Sequence, residues 1–325
     1  MRIVISVHDP PVWTIPARDI QRVRAALPQD DVVDARTADE RRLAFPDAEV
    51  IVATRISGEE FLSARRVKWI HTTAVGVGGL LPPEVVRSPV VVTNTRGAHA
   101  ENIAEHAIAL ALAARRRLAV AGAGQAGRQW TQLELMAVES PPLSSSCMLV
   151  VGLGAIGSRV ASHAAGLGMT VLGIRRQAGQ PKPAGVREVA GPDRLVEFLG
   201  RADVVVLTAP HTPETNAMMG DAEFRAMRSG AVLVNVARGD LVDEAALERA
   251  VREGLIAGAG LDAFVREPLA EGSPLWNLPN VFITPHSASF GGDYWIPAVD
   301  LFLRNVGRYR RGEPLENMVD KVNRY

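Results

Sequence analysis

Two residue types that handle carboxylates and protons follow apolar, strand-like segments in the second half of the sequence. Arg238 comes directly after Ala231–Ala237, and His286 comes directly after Val281–Pro285. Ligands of open parallel sheets gather at the carboxyl ends of strands. A guanidinium at such a point can bind a carboxylate through two hydrogen bonds, and an imidazole can give and take a proton near neutral pH. The pair therefore predicts acid–base chemistry on a small carboxylate.

Glu267 is the acid that could complete this pair. It lies in the segment Leu261–Leu269, between the predicted strands that lead to Arg238 and His286. A carboxylate beside a histidine fixes the ring and stabilises the imidazolium. Taken alone, Glu267 fits the commoner role of a surface acid equally well. We predict Arg238, Glu267 and His286 as the catalytic residues.

A glycine motif indicates where a dinucleotide would bind. The apolar run Met148–Val151 leads into Gly152, Gly154 and Gly157, and a helix-like segment follows. This strand–turn–helix context is the one that the dinucleotide fingerprint G-x-G-x-x-G requires. Backbone N–H groups at Ala155 and Ile156 would begin the helix and face the pyrophosphate.

The next apolar run determines the cofactor prediction. NAD sites usually carry an acid about 20 residues after the glycines, where it binds the ribose 2′-hydroxyl. Here Thr170–Ile174 ends in Arg175 and Arg176. Two guanidiniums suit a 2′-phosphate, so NADP is predicted and NAD is less expected. The alternative is a pair of solvated arginines at a strand end.

Composition narrows the class of protein. The 325 residues exceed the size of one core, so two domains are expected. Basic and acidic residues number 36 each, which gives no charge signature for nucleic acid. No segment reads as a signal peptide or membrane span, and Cys147 is alone, so a cytoplasmic protein without thiolate metal sites is expected. No spacing of His, Cys, Asp or Glu predicts a metal site.

Alternating short apolar runs and helical segments predict the fold. We expect an α/β protein of two doubly wound parallel-sheet domains with a cleft between them. Residues 1–99 with 288–325 are predicted to form a flavodoxin-like substrate domain, and residues 100–287 a Rossmann dinucleotide-binding domain. The segment Gly127–Ser146 is expected to be irregular, and a last helix is expected from about Ile296 to Arg311.

From about Val50 to the C-terminus, the chain resembles the D-isomer-specific 2-hydroxyacid dehydrogenase family, and its glyoxylate/hydroxypyruvate reductase-like members in particular. The resemblance is carried by Asn94–Gly97 with Ala104–Ala107, Gly152–Gly157, Pro210–Thr215, Asn235–Asp243, Leu261–Asp262 with Glu267–Pro268, and Thr284–His286. The sequence departs from the family pattern at Gly78, at Arg96 and in the segment Pro142–Cys147, which leads into the glycine motif. These departures bear on substrate identity and loop geometry, and none touches the predicted catalytic residues.

The resemblance implies roles for individual residues. It implies that Arg238 orients the substrate, that His286 is the acid/base and that Glu267 is its partner. Ala237 and Asp262 would lie beside the nicotinamide. The loop that contains Val75 and Gly76 would hold the substrate carboxylate. The segment with Pro210 and Thr215 would contribute to the cofactor site.

These observations lead to one functional hypothesis and two alternatives. The hypothesis is NADP-dependent reduction of a small 2-keto acid, such as glyoxylate or hydroxypyruvate, by a homodimer. Arg55 and Trp295 are predicted to line the substrate cleft, because each lies at an element whose end should face it. For Trp295, core packing is an equal alternative. The alternatives for the whole chain are a nucleotide-sensing co-regulator of the same fold and a formate- or phosphite-type dehydrogenase.

Overall fold

A computed structural model describes residues 1–9, 13–137, 141–291 and 294–322. The chain forms two compact units. Unit 1 comprises Met1–His99 and Gly291–Tyr325, and unit 2 comprises Ala100–Phe290. Each is built on a parallel sheet with helices, which confirms the predicted α/β class. The cleft that the sequence predicts between them stays a prediction.

Unit 1 contains a five-stranded parallel sheet, with an additional antiparallel pair of two-residue strands. Its strands are β1 (Arg2–Ser6), β2 (His8–Asp9), β3 (Trp13–Thr14), β4 (Asp31–Asp34), β5 (Val50–Ala53), β6 (Trp69–His71) and β7 (Val91–Thr93). Its helices are α1 (Ala17–Ala26), α2 (Ala38–Ala44), α3 (Gly58–Ser63), α4 (Pro83–Arg87) and, at the C-terminus, α12 (Trp295–Arg310). The large sheet has the order β4-β1-β5-β6-β7, which is the flavodoxin-like order.

Unit 2 contains a seven-stranded parallel sheet. Its strands are β8 (Cys147–Val151), β9 (Thr170–Ile174), β10 (Glu188–Ala190), β11 (Val204–Leu207), β12 (Val232–Asn235), β13 (Gly258–Leu261) and β14 (Val281–Ile283). Its helices are α5 (Ala100–Arg115), α6 (Leu118–Ala126), α7 (Gln132–Met136), α8 (Ala155–Gly166), α9 (Leu195–Leu199), α10 (Asp221–Ala226) and α11 (Glu244–Arg252). The order β10-β9-β8-β11-β12-β13-β14 is the Rossmann order with one further strand.

The two faces of the unit 2 sheet are covered because its central strands are apolar throughout. Every residue of β11 and β12 is buried. One face packs against Phe198, Phe224 and Leu247, and the other packs against α5 and α8. Most of α5 is buried against the sheet and α8, while Glu101, Glu105 and Ala109 are exposed. Strands that are buried on both faces read as continuous apolar runs, as they do here.

Two stretches differ from the sequence expectation. The segment Gly127–Ser146 was expected to be irregular but contains the short helix α7, while residues 138–140 lie outside the described residues. β10 was not predicted, because three residues at a sheet edge after a Gly- and Pro-rich loop give too short an apolar signal. Among the residues described, no helix has both the length and the apolar character needed to cross a membrane.

Candidate active site

The candidate active site is assembled at one edge of the unit 2 sheet, because its strands are parallel. β12, β13 and β14 are neighbours, and their carboxyl ends lead to Arg238, Asp262 and His286 respectively. β8 and β11 end at the same edge, followed by Gly152 and Thr208. The sheet order reverses between β8 and β11, which is where open α/β sheets bind ligands.

His286 and Glu267 are in direct contact. Nδ1 of His286 lies 2.7 Å from Oε2 of Glu267. The other carboxylate oxygen, Oε1, accepts a hydrogen bond of 3.0 Å from the backbone N–H of Phe264. Glu267 is thus fixed by its own loop and fixes the imidazole in turn. The side chain of His286 is 43% exposed, so its ring is reachable from solvent.

Electrostatics keep Glu267 ionised. Burial raises the pKa of the Glu267 carboxyl, but the hydrogen bonds from His286 and Phe264 outweigh burial, and the nearby charge of Arg238 adds to them. The pKa of Glu267 consequently lies below its ordinary value. A carboxylate that stays charged across the neutral range is suited to stabilise an imidazolium.

Arg238 and Glu267 come together through a close approach of two backbones. A Cβ on Gly239 would lie 1.9 Å from the backbone carbon of Phe264, so only glycine allows the two loops to meet there. Arg238 donates from Nη1 to the Ala237 carbonyl at 2.6 Å, and the Ala237 N–H donates to Oδ1 of Asn235 at 3.0 Å. The structure therefore brings the three predicted catalytic residues into one cluster.

The carboxylate of Asp262 accepts hydrogen bonds from residues of unit 2. Asp262 is 2% exposed, and its carboxylate accepts hydrogen bonds from the hydroxyl of Thr284 at 2.6 Å and from the N–H groups of Ser287 and Ala288 at 2.8 and 3.0 Å. These bonds hold the turn that carries His286. The position beside the nicotinamide that the family resemblance implies for Asp262 stays a prediction.

His286 itself adopts a left-handed backbone conformation with φ of 50°. This region disfavours residues with a side chain, so the turn needs support from its surroundings. His106 on α5 adds to that support, because its Nε2 lies 2.9 Å from the Thr284 hydroxyl. No signal in the sequence connects His106 or Thr284 to the histidine turn.

The glycine motif forms a tight turn, called the glycine cradle below, at the start of α8. Gly152 has φ of 100°, and a Cβ there would lie 2.6 Å from the backbone nitrogen of Ala209. A Cβ on Gly157 would lie 2.0 Å from the Gly152 carbonyl oxygen, so α8 can approach β8 only with glycine at this position. A Cβ on Gly154 would meet nothing within 4 Å, and no side chain caps α8. The first N–H groups of this 12-residue helix thus face open space, which fits a dinucleotide pyrophosphate.

Arg175 and Arg176 follow β9 but differ in environment. The guanidinium of Arg175 donates to backbone carbonyls of the loop that follows, at Ala178, Gln180 and Pro181. Arg176 is exposed, and its positive charge is among the influences that lower the pKa of Glu214, after hydrogen bonds from Thr212 and the backbone. The two arginines were predicted as equal phosphate ligands, but the structure gives Arg175 a role in shaping its loop.

The remaining predicted cofactor residues lie in ordered turns. Thr215 donates to the Pro210 carbonyl at 2.8 Å and accepts from the Thr212 N–H at 2.8 Å. Pro210 is exposed and follows β11 at the carboxyl edge of the sheet. Among described residues, no cluster of three or more His, Cys, Asp or Glu side chains is placed to bind a metal ion.

The predicted substrate residues outside the catalytic cluster belong to unit 1. Gly76 is exposed and Val75 is half-buried, in a loop after β6 that Asn94 holds by a 2.8 Å hydrogen bond to the Val75 carbonyl. Arg55 is exposed after β5. Trp295 is 8% exposed and packs in the apolar core with Trp69 and Phe302, which favours the packing alternative over a place in a cleft wall.

Several known proteins are similar to this chain. The profile of the family described as "D-isomer specific 2-hydroxyacid dehydrogenase, NAD binding domain" matches residues 108–288. A glyoxylate reductase of Korarchaeum cryptofilum is 33% identical over 319 residues, which cover 94% of each chain. A D-3-phosphoglycerate dehydrogenase of Archaeoglobus fulgidus is 33% identical over 281 residues, which are 85% of this chain but 52% of that protein.

Solved structures share the whole fold. The crystal structure of a D-isomer specific 2-hydroxyacid dehydrogenase from Xanthobacter autotrophicus Py2, in complex with NADPH and MES, superposes with a TM-score of 0.84. It is 30% identical in sequence, and the match covers 100% of this chain and 99% of that chain. The chain thus spans about half the length of the phosphoglycerate dehydrogenase it matches, and nearly all of the other two relatives.

Proposed function

The chain belongs to the D-isomer-specific 2-hydroxyacid dehydrogenase family, and we propose that it reduces a small 2-keto acid to the D-2-hydroxy acid with NADPH. The observation that carries this proposal is the 2.7 Å contact between His286 and Glu267 at the sheet edge that also bears Arg238. When bound, the cofactor supplies the hydride that the keto carbon receives. All other steps fall to side chains of this protein.

His286 is proposed to protonate the oxygen that becomes the hydroxyl. Its Nδ1 is engaged by Glu267, so Nε2 is the nitrogen left to face a substrate. The ionised Glu267 stabilises the imidazolium before transfer and orients the ring throughout. Arg238 is proposed to bind the substrate carboxylate and the keto oxygen, because its planar guanidinium offers paired donors.

Val75, Gly76 and Arg55 are proposed to supply the other contacts of the substrate. Backbone N–H groups at Val75 and Gly76 would bind the carboxylate, and the exposed Arg55 would add positive charge near it. The hydrogen bond from Asn94 to the Val75 carbonyl supports this proposal, because it fixes the position of the loop. Trp295 is not part of the proposed site, since its ring is packed in the core.

NADPH is proposed over NADH on the basis of Arg176. The exposed guanidinium follows β9, at the position where NAD sites usually bind the ribose 2′-hydroxyl through an acid. Arg175 would act indirectly by ordering the loop beyond it. The glycine cradle, with Ala155 and Ile156 at the start of α8, would bind the pyrophosphate, while Pro210, Thr215 and Ala237 would border the cofactor.

A panel of substrates tests the reaction. We expect NADPH oxidation with glyoxylate or hydroxypyruvate and formation of the D-hydroxy acid, with a lower kcat/KM when NADH is used. Oxidation of D-3-phosphoglycerate is assayed in parallel, because some relatives carry that name. Absence of turnover with all 2-keto acids, in protein that binds NADPH, would reject the proposed reaction. The comparisons do not favour the co-regulator or the formate- and phosphite-type alternatives.

We also propose that the chain is a cytoplasmic homodimer that associates through residues 118–136. This segment exposes Leu118, Trp130, Leu133 and Met136, and Trp130 is 89% exposed. Apolar side chains that cluster on a surface mark contact sites. We expect light scattering to give twice the chain mass, and Leu133→Glu to yield monomers. Leu43→Glu, at another exposed leucine, is the control. A wild-type monomer at micromolar concentration would contradict the proposal.

A further inference from the structure

Helix α5 contacts both ends of the histidine turn, residues 284–289. Near the first end, Nε2 of His106 lies 2.9 Å from the hydroxyl of Thr284. At the other end, the side-chain amide of Asn102 donates to the carbonyl of Ser289 at 3.4 Å. Residues four apart on a helix lie on one face. One face of α5 therefore holds the turn before and after the proposed proton donor.

The direction of the hydrogen bonds at Thr284 follows from its single hydroxyl proton. Oδ1 of Asp262 lies 2.6 Å from this hydroxyl, and a carboxylate can only accept. The proton therefore points to Asp262, and the hydroxyl oxygen must accept from Nε2–H of His106. Asp262 also accepts from the backbone N–H groups of Ser287 and Ala288, so the network closes on the turn itself.

The position of α5 is fixed by close packing against β13, the strand that leads to Asp262. A Cβ on Gly260 of β13 would lie 2.7 Å from Cβ of Leu110, so the helix approaches the strand this closely only with glycine there. β13 and β14 pair in parallel, and the Thr284 N–H donates to the Leu261 carbonyl at 2.9 Å. The helix and both strands thus present their polar groups to the same turn.

The turn needs this support because of the conformation of His286. Its φ of 50° lies in the left-handed region that disfavours residues with a side chain, and its Nδ1 must still reach Glu267 at 2.7 Å. We propose that Asn102 and His106 are positioning residues for the reaction, because they hold the turn at both ends and so keep the ring of His286 on Glu267. This inference rests on the proposed function. The two residues act through His286.

Thr284→Val tests the network, because it removes the hydroxyl and keeps the branched shape of the side chain. We expect kcat to fall by about ten- to a hundredfold while KM stays within about twofold, since Arg238 and the glycine cradle are unaltered. Thr284→Ser returns the hydroxyl and should recover most of the loss. His106→Phe keeps a ring without the donor, and its kcat should fall in the same range. Asn102→Ala should lower kcat by about threefold, because its hydrogen bond is longer.

A second readout does not depend on turnover. A carboxylate only accepts, so the neutral ring of His286 carries its proton on Nδ1 as long as it meets Glu267. ¹⁵N NMR of the ring nitrogens measures this, with His286→Asn to identify the signals. We expect Thr284→Val and His106→Phe to populate the Nε2–H tautomer as well. Glu105→Gln, at the exposed neighbour of His106 on α5, is the control and should change neither the tautomer nor kcat.

The outcomes separate this inference from the proposed function. A kcat of Thr284→Val within about twofold of the wild type, or an unchanged tautomer ratio in it, would overturn the role of the network. A loss of stability without a change in kcat would overturn it too. If the wild type reduced no 2-keto acid, the proposed function would fail, and the tautomer ratio would still decide whether the network positions His286. If Thr284→Val does not fold, the same criteria apply to His106→Phe.

Discussion

At the scale of single residues, the central interaction is the hydrogen bond between Glu267 and His286. The pKa of Glu267 lies below its ordinary value, because the hydrogen bonds from His286 and Phe264 outweigh the effect of burial, so the residue is a carboxylate at neutral pH. Reduction needs a protonated His286, and the carboxylate stabilises that form. The rate of reduction therefore depends on the charge of Glu267.

Glu267→Gln is expected to lower kcat/KM for reduction by about tenfold or more, because the imidazolium loses its anionic neighbour while the amide keeps the shape of the side chain. The measurement is kcat/KM for reduction between pH 5 and 9. Glu271→Gln, on the same loop but outside the cluster, is the matched control. A profile identical to that of the wild type would make Glu267 a structural acid.

Arg176 carries the prediction for the cofactor. Arg176→Ala is expected to lower the NADPH/NADH ratio of kcat/KM by about tenfold or more, because a charge-assisted contact to the 2′-phosphate is lost. Arg187→Ala, at another arginine of the same unit, should leave the ratio unchanged. The proposal for Arg176 fails if both variants retain the wild-type ratio.

The sequence identified these residues because strand ends can be found from apolar runs. The hydrogen bonds from Arg175 to carbonyls of the following loop could not be predicted from the sequence. The path of residues 178–181 depends on several weak turn preferences. The role of Asp262 was hidden for a similar reason, because its partners Ser287 and Ala288 offer backbone N–H groups that have no sequence signature.

At the scale of elements, the approach of α8 to β8 determines the shape of the cofactor cradle. Gly157→Ala is expected to destabilise the protein by about 3 kcal/mol or more, because its Cβ would lie 2.0 Å from a backbone oxygen that cannot move alone. Gly166→Ala, also in α8, meets nothing within 4 Å and should stabilise the helix by up to about 1 kcal/mol.

Urea unfolding of the two variants checks this pair. The change in the free energy of unfolding should have opposite signs in the two variants. This difference is informative because both substitutions add one methyl group to the same helix. If Gly157→Ala unfolded at the wild-type urea concentration and still bound NADPH, the close packing of α8 against Gly152 could not be what shapes the cradle.

Long elements with strong patterns were predictable and short ones were not. β9 matches the predicted run Thr170–Ile174, because this run is apolar and is followed by the charged Arg175. α12 begins and ends within one residue of the bounds Ile296–Arg311 predicted for the last helix. α7 and β10 have five and three residues, so tertiary contacts rather than local pattern decide them.

At the scale of the whole molecule, burial of His71 ties stability to pH. Burial lowers the pKa of His71 to about 3, and one ring nitrogen has no hydrogen-bond partner among the described residues. The unfolded chain binds a proton at about pH 6.5. The contribution of neutral His71 is therefore complete above pH 6.5 and is lost as the pH falls from 6.5 towards 3.

The expected loss of unfolding free energy from this residue is about 2 kcal/mol between pH 7 and 5. His71→Phe keeps a ring beside Phe302 and should reduce the pH dependence by that amount. Urea unfolding at the two pH values measures it, with His211→Asn as the exposed control. An unchanged pH dependence in His71→Phe would show that the buried ring is not responsible.

His286→Asn tests the proposed mechanism most directly. The variant removes the proposed proton donor but leaves the glycine cradle and Arg238 in place. NADPH oxidation with the best 2-keto acid of the panel is measured at saturating substrate, together with NADPH affinity by fluorescence. We predict a kcat lower by about 10²- to 10⁴-fold and an NADPH Kd within about twofold of the wild type. A kcat within a few-fold of the wild type would contradict the assignment of His286 as the acid that completes the reduction.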